Sequence, residues 1–509
     1  MKKRILALWK EQPLTAIMLI AFIIRLPAVI FSKGFGWHDD HFLIIESSQS
    51  WVDGVDYDNW FPWSGATTPD GHSLFYSGLH FILFTVLKWL GIYDPQLKMM
   101  VVRLLHALFS LLTVYYGYKI ARLYKGDYVA KITGLLLACY WFMPFLSVRN
   151  LIEFVCIPFL VWGTWLALPK VNQTAKHFFF AGFIIALAVS VRYQASMMAG
   201  GVILALMLKS EIKGAFLFFA GALLSFVMIQ APFDYLIWKK PFAEFGEYVR
   251  YNMENSDQYG ANTWYSYLLV ILGMLLPPVC FFLFYGYLKS WKKYTILFLP
   301  SFIFLVFHSS FPNKQERFIL TIIPFIIIAG VIGFADIYEK SNWSDSRKRI
   351  FRRCVRFSIV FNLLLLPLVS IMYSKRARVE SMYYLSKYRN IEFIAIEDRK
   401  RDGVKIPPEY YAGQWLRVYE VTTEKPIDSL AAVMKSVDEK DKPRFILFFR
   451  DYDLQLRINQ VKNIFSNLTY ETTIEPGFID KLLNSINPKN GNDVIYIYKT
   501  NIGAYEKVK

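Results

Sequence analysis

The sequence predicts a polytopic α-helical membrane protein carrying a small soluble α/β domain at its C-terminal end. Three observations predict it. The 509 residues are 55% hydrophobic and 18% aromatic, with a mean hydropathy of +0.31, more apolar than an ordinary soluble chain of this length. Apolar runs close to the roughly 20 residues that cross a bilayer recur along most of the chain. After about residue 374 the pattern changes to charged segments with short strand-like runs. The net charge of +17 would suit nucleic acid in a soluble protein. In a membrane protein lysine and arginine collect in cytoplasmic loops, so the bilayer is the expected partner and nucleic acid is not. The four cysteines (Cys139, Cys156, Cys280, Cys354) lie in or beside apolar runs and form neither a disulfide framework nor a paired-cysteine metal knuckle.

Taken in order, the basic MKKRILALWK leads into a long apolar run that ends at GFGWHDDHF without a small-residue cleavage pattern. The first run is therefore read as a spanning helix, not as a removed signal. Eleven spans are expected, at 13–31, 101–118, 132–148, 151–168, 177–191, 194–208, 215–232, 265–288, 294–309, 318–337 and 357–373. One further run, SLFYSGLHFILFTVLKWLGI at 73–92, decides the topology. If it lies flat on the outer surface, the loops with Lys119, Arg122 and Lys125, with Lys170 and Lys176, with Lys209 and Lys213, and with Lys289, Lys292 and Lys293 are cytoplasmic. So is SDSRKRIFRRCVRF, 344–357. If 73–92 spanned, all of these would face outward, against the positive-inside rule. The surface helix is the better reading.

A membrane domain over 1–374 follows, with a first outer loop at 32–100, and an outer-face α/β domain over 375–509. The latter shows strand-like runs at 391–396, 445–449 and 494–500 and a helical pattern at 427–437.

This topology gathers polar residues on the outer face: His38, Asp39, Asp40, His41 and Glu46; Arg149, Asn150 and Glu153; Arg192; Asp234, Asn252, Tyr259, Trp264 and Tyr265; Lys314, Glu316 and Arg317. Ionisable residues at a span edge are expensive unless paired or used. Each also has an ordinary reading. Loop carboxylates are usually solvated, Arg149 and Glu153 have the spacing of a one-turn salt bridge, and Trp264 and Tyr265 suit an interfacial belt. The HDDH cluster has ligand types that bind zinc but lacks the regular spacing of a known zinc motif. A transporter's ion-coupling carboxylates belong at mid-membrane, whereas these sit at the edge. A base at the edge with cations on the same face suits an enzyme with a lipid-bound donor.

The motifs resemble those of the GT-C glycosyltransferases, and within them the polyprenyl-phosphate-mannose-dependent α-mannosyltransferases of GPI-anchor and N-glycan assembly. WHDDHFLIIE (37–46) stands where that family carries an HPDE-type motif. SVRNLIEF (147–154) is similar to its R-x-x-N-x-x-E-like segment, and VRYNMENSDQYGANTWYSY (249–267) to its long YG…W…Y loop. HSSFPNKQERF (308–318) corresponds to the late HKExRF motif. The resemblance covers about residues 15–340. Asn313 and Gln315 replace the usual His and Glu, the proline of HPDE is absent, and Asp40 is shorter than the usual Glu.

The resemblance implies an inverting transfer, mannosyl in this family, from a polyprenyl-phosphate sugar to the hydroxyl of a glycan or glycolipid acceptor. Asp39 would be the base, with Asp40 orienting the acceptor. Lys314, Arg317 and Arg192 would meet the donor phosphate. His41, Arg149, Asn150, Glu153, Asn252, Tyr259 and Trp264 would shape the substrate site. No cofactor is required, and the histidines leave divalent-metal assistance open. The alternatives are a flippase for a lipid-linked saccharide and a transferase of the same fold using a pentose or an aminosugar. Of three N-x-S/T sites only Asn467 would face outward, with Asn172 and Asn342 cytoplasmic. The short lysine-rich connections favour a bacterial inner membrane with a periplasmic site, or the ER membrane in a eukaryote.

Overall fold

The computed structural model describes residues 2–255, 262–487, 493–503 and 506–507. The chain forms two compact units. One comprises Met1–Phe31, Asp56–Leu79 and Val102–Ile371, the other Ser32–Val55, His80–Val101 and Met372–Lys509.

The first unit is helical. Among the described residues, Pro13–Phe31, Pro95–Cys139, Ile212–Trp238, Glu316–Lys340 and Asp345–Ser370 are long and apolar enough to cross a membrane. Shorter apolar helices include Ile152–Ala167, Ala175–Val191 and Thr295–Ser310. The run expected as one span at 265–288 is broken into Ser266–Met274 and Val279–Lys289, bent by 119°. Pro277 and Pro278 lie at the break, where their missing amide protons cannot continue a helical ladder.

The loop expected between 118 and 132 is instead helical through Lys119, Arg122 and Lys125 and turns only at Gly126, at φ 70°. Arginine and lysine are good helix formers, so the break waits for a residue that accepts positive φ. The basic stretch 344–357 is likewise the start of helix Asp345–Ser370, capped by the Ser344 hydroxyl, which accepts from the Arg347 N–H. Asp234, expected in a loop, lies buried inside Ile212–Trp238 and accepts from the Glu244 N–H at 3.1 Å.

Polar groups buried between helices are satisfied by close main-chain approach. Arg25, fully buried, donates to Ser110 Oγ at 2.9 Å and to the carbonyls of Ala21 and Ala138 at 3.0 and 3.3 Å. Helices Ala175–Val191 and Ile212–Trp238 cross on glycines. A Cβ at Gly182 would stand 1.9 Å from the Phe218 carbonyl oxygen, and one at Gly221 2.0 Å from that of Phe179. Small residues at such crossings let backbones meet, which is how helices associate where lipid is as apolar as leucine.

The run 73–92 forms helix Leu74–Trp89. The second unit holds a five-stranded sheet in the order Arg417–Val421, Phe393–Glu397, Phe445–Phe449, Ile495–Lys499, Thr469–Ile474. The first three strands are parallel and the last two antiparallel. Phe393–Glu397 and Phe445–Phe449 are buried along their whole length, as central strands covered on both faces are. One face carries Ala395, Ile446 and Phe448 against Leu430, Met434, Ile458 and Val461. Strands Arg417–Val421 and Thr469–Ile474 escaped the sequence reading because both lie at sheet edges, where the apolar signal is weak.

Candidate active site

Two constellations contain the residues singled out by sequence, one in each unit. In the second unit, Asp39–His41 form a short helical turn that passes into a π-helical turn, Phe42–Glu46. This widened geometry recurs at functional sites. It separates neighbours that look equivalent in sequence. Asp39 keeps 41% of its side chain exposed, with Oδ1 3.8 Å from His38 Nδ1. Asp40 is buried at 4% exposure.

His41 is buried, stacked between Phe35 and Tyr411 at centroid distances of 4.5 and 5.3 Å. Its Nε2 lies 3.3 Å from Glu46 Oε1, and the Tyr410 N–H donates to the same oxygen at 3.0 Å. Burial, reinforced by the charges of Lys375 and Arg378, holds His41 well below the ordinary histidine range, so the ring is neutral at pH 7. Burial also lowers His38; Asp39 opposes that shift, while Arg378 and Lys375 add to it. Lys375 and Arg378 lie over the Phe35 ring at 4.3 and 5.4 Å.

In the first unit, helix Ile152–Ala167 places Glu153 in its first turn, and Ala175–Val191 ends at Arg192. Both positions match the helix dipole, acid at an N-terminus and base at a C-terminus. Arg192 Nη1 contacts Glu153 Oε1, and Arg317 Nε lies 3.5 Å from the same oxygen. All three residues are buried, Glu153 completely. Arg317 Nε also donates to Gln315 Oε1 at 2.8 Å, and Thr321 Oγ1 donates to the Glu153 carbonyl at 3.1 Å. Phe318 lies beneath both guanidiniums, at 4.9 and 5.5 Å. One oxygen of Glu153 thus meets both guanidiniums. Nε and Nη2 of Arg192 are buried and make no hydrogen bond. A buried guanidinium with unused donors is costly alone and well suited to an anion.

The remaining candidates are more dispersed. Arg149 is buried with its guanidinium 4.4 Å from the Phe145 ring. The one-turn pairing of Arg149 with Glu153 gives way to the contacts with Arg192 and Arg317. Asn150 Oδ1 accepts from the Tyr76 hydroxyl at 2.5 Å, and that hydroxyl lies 2.7 Å from His106 Nε2. Lys314 Nζ donates to the Asn262 carbonyl at 3.1 Å and to that of Phe311. Asn252 Nδ2 donates to the Tyr248 carbonyl at 2.8 Å. Trp264 is 71% exposed and meets Tyr265 edge-on at 5.7 Å. Tyr259 lies outside the described residues. Sequence reading missed Tyr76 and His106, and also Phe35, Lys375, Arg378, Tyr410 and Tyr411. The last four fall in the segment taken as a separate domain, and only tertiary packing brings them to His41.

The sequence profile of one family, described as the Alg9-like mannosyltransferase family, matches residues 16–411. The chain belongs to the Alg9-like mannosyltransferase family. It is a membrane-embedded glycosyltransferase. No curated protein sequence matches it.

The fold of this mannosyltransferase-family chain is similar to that of solved GT-C glycosyltransferases. ArnT from Cupriavidus metallidurans bound to undecaprenyl phosphate superposes with a TM-score of 0.59 at 12% identity, over 95% of this chain and 97% of ArnT. The archaeal oligosaccharyltransferase AglB from Archaeoglobus fulgidus, in complex with an inhibitory peptide and a dolichol-phosphate, gives 0.52 at 12% identity, over 91% and 73%. The arabinofuranosyltransferase AftD from Mycobacteria gives 0.54 at 10% identity, over 96% and 40%. At these identities the likeness is one of fold.

Proposed function

We propose that this protein transfers a sugar, mannose by its family, from a polyprenyl-phosphate donor to the hydroxyl of a glycan or glycolipid acceptor, with inversion, at the outer face of a bacterial inner membrane. The observation that carries this reading is the buried contact of Arg192 with Glu153, beside Arg317, in which Nε and Nη2 of Arg192 are buried and make no hydrogen bond among the described residues. A lipid phosphate leaving from an anomeric carbon develops negative charge that such donors stabilise in a poorly hydrated site. Undecaprenyl phosphate and dolichol-phosphate in two structures of similar fold support a lipid-phosphate donor.

In the reaction, the acceptor oxygen forms a bond to the anomeric carbon as the bond from that carbon to the phosphate oxygen breaks. The proton of the acceptor hydroxyl passes to Asp39, the more exposed carboxylate of its pair. Asp40 orients the acceptor. Lys314 gives a further charge toward the donor phosphate, and Arg149, Asn150, Asn252, Tyr259 and Trp264 shape the sugar and acceptor surroundings. The scheme requires no metal, because the arginines supply the positive charge.

The test is the release of polyprenyl phosphate from labelled polyprenyl-phosphate mannose by purified protein in detergent with an acceptor glycan. Asp39→Asn is expected to slow transfer by about 10²- to 10⁴-fold with an unchanged melting temperature. Near-normal turnover in that variant would remove Asp39 as the base. Movement of the lipid-linked sugar with no phosphate release would make the protein a flippase. Release from a pentosyl or aminosugar donor alone would keep the mechanism and change the sugar.

A further inference from the structure

At the opposite end of the first unit from Arg192 and Glu153 lies a cavity of about 650 Å³, with Lys170, Lys209, Lys213, Lys293 and Glu211 in its lining. Helices Ile152–Ala167 and Ala175–Val191 connect the two ends. At 1.5 Å per residue they separate them by about 25 Å, most of the roughly 30 Å of a bilayer's apolar core.

Three helices begin at this cavity, at Ala175, Ile212 and Thr295, and two end there, at Ala167 and Leu208. Helix N-termini carry partial positive charge. Four lysines and one glutamate line it, and among the described residues Lys293 alone of the four lysines is held by a carboxylate, Asp336, at 3.0 Å. Lys170 and Lys209 donate instead to the main-chain carbonyls of Leu166 and Lys292, at 3.5 and 3.0 Å. Among the described residues neither forms an ion pair. Gln173, also in the lining, has a buried Oε1 without a donor. Burial and the charge of Lys119 push the Lys170 amine down to about 8. A bound anion would reverse that shift.

We propose that this cavity binds the phosphate of an anionic phospholipid headgroup from the adjoining leaflet. Its lysines, helix N-termini and Gln173 would take the phosphate oxygens and a headgroup hydroxyl. Scattered lysines at cytoplasmic helix ends are ordinary topology signals. Their convergence on one half-open cleft, near exposed apolar side chains such as Leu208 and Ile212, matches the basic interhelical pockets that hold lipid headgroups. The site is independent of the catalytic reading.

The experiment titrates the full chain in mild detergent with short-chain phosphatidylglycerol, with phosphatidylcholine of the same chain length, and with inorganic phosphate, and counts bound molecules by native mass spectrometry. Phosphatidylglycerol is expected to bind at least tenfold tighter than phosphatidylcholine. The double variant Lys170→Gln/Lys213→Gln should lose that preference, and Lys170→Arg/Lys213→Arg should keep it, which separates charge from folding. Equal binding of the two lipids, or an unchanged preference in the glutamine variant, overturns the proposal. Binding of inorganic phosphate without phosphatidylglycerol overturns the lipid source.

Discussion

Glu153 meets two arginines, and removing the acid or one of the bases has different expected outcomes. Removing the acid leaves two guanidiniums buried together, the costly direction for a buried ion group. Glu153→Gln is therefore expected to lose about 3–5 kcal/mol of stability, read as a lower melting temperature in detergent. Arg192→Gln instead leaves Glu153 in contact with Arg317. That variant should melt within a few degrees of the parent and lose about 10²-fold in kcat/KM for the lipid-phosphate donor. If both substitutions destabilised alike, Arg192 would serve the fold and not the donor phosphate. The sequence shows all three residues, and the chemistry of Arg192 and Arg317 toward phosphate follows from their type. It pairs Glu153 with Arg149, because a one-turn spacing is visible in a string of letters and a contact between helices 39 residues apart is not. The same limit separates Asp39 from Asp40. They are adjacent in sequence, yet a π-helical turn buries one and leaves the other partly in solvent.

Helix placement is more legible, because an apolar run long enough to cross a bilayer has few other fates. The expected runs at 13–31, 177–191 and 294–309 coincide within two residues with Pro13–Phe31, Ala175–Val191 and Thr295–Ser310. Hydropathy misses what happens between helices and at their breaks. Pro277 and Pro278 did signal the bend at residue 275, but the surrounding apolar letters concealed it. The glycines at the crossing of Ala175–Val191 and Ile212–Trp238 are equally silent in a hydropathy profile. They define an element-scale prediction. Gly182→Leu would put a side chain where the Phe218 carbonyl stands, force the two backbones apart, and cost more than the 1–3 kcal/mol or so of ordinary overpacking. Gly200→Leu is the control, because a Cβ there meets nothing within 4 Å. The first variant should fall sharply in folded yield by size exclusion, and the second should match the parent.

At the scale of the whole molecule, the change in composition near residue 374 marks where hydrophobic spans end, but the compact unit containing the sheet begins earlier in the chain. It takes in Ser32–Val55 and His80–Val101 together with Met372–Lys509, so the HDDH segment packs with the C-terminal residues. Phe35 and Tyr411 stack on the two faces of His41, and the Tyr410 amide donates to one oxygen of the buried Glu46. The turn that presents Asp39 is therefore shaped by residues some 370 positions away. This coupling predicts that catalysis depends on a tyrosine remote in sequence. Tyr411→Ala removes one wall of the histidine stack, opens a cavity beside buried Glu46 and loosens the turn. It should lose at least about tenfold in turnover, since small displacements of a reacting group are costly, and residues 32–55 should become sensitive to limited proteolysis. Tyr411→Phe keeps the ring and should retain both turnover and protease resistance. Activity that persists in the alanine variant, with segment 32–55 still protected, would show that the turn holds its own shape and that the C-terminal segment serves another purpose.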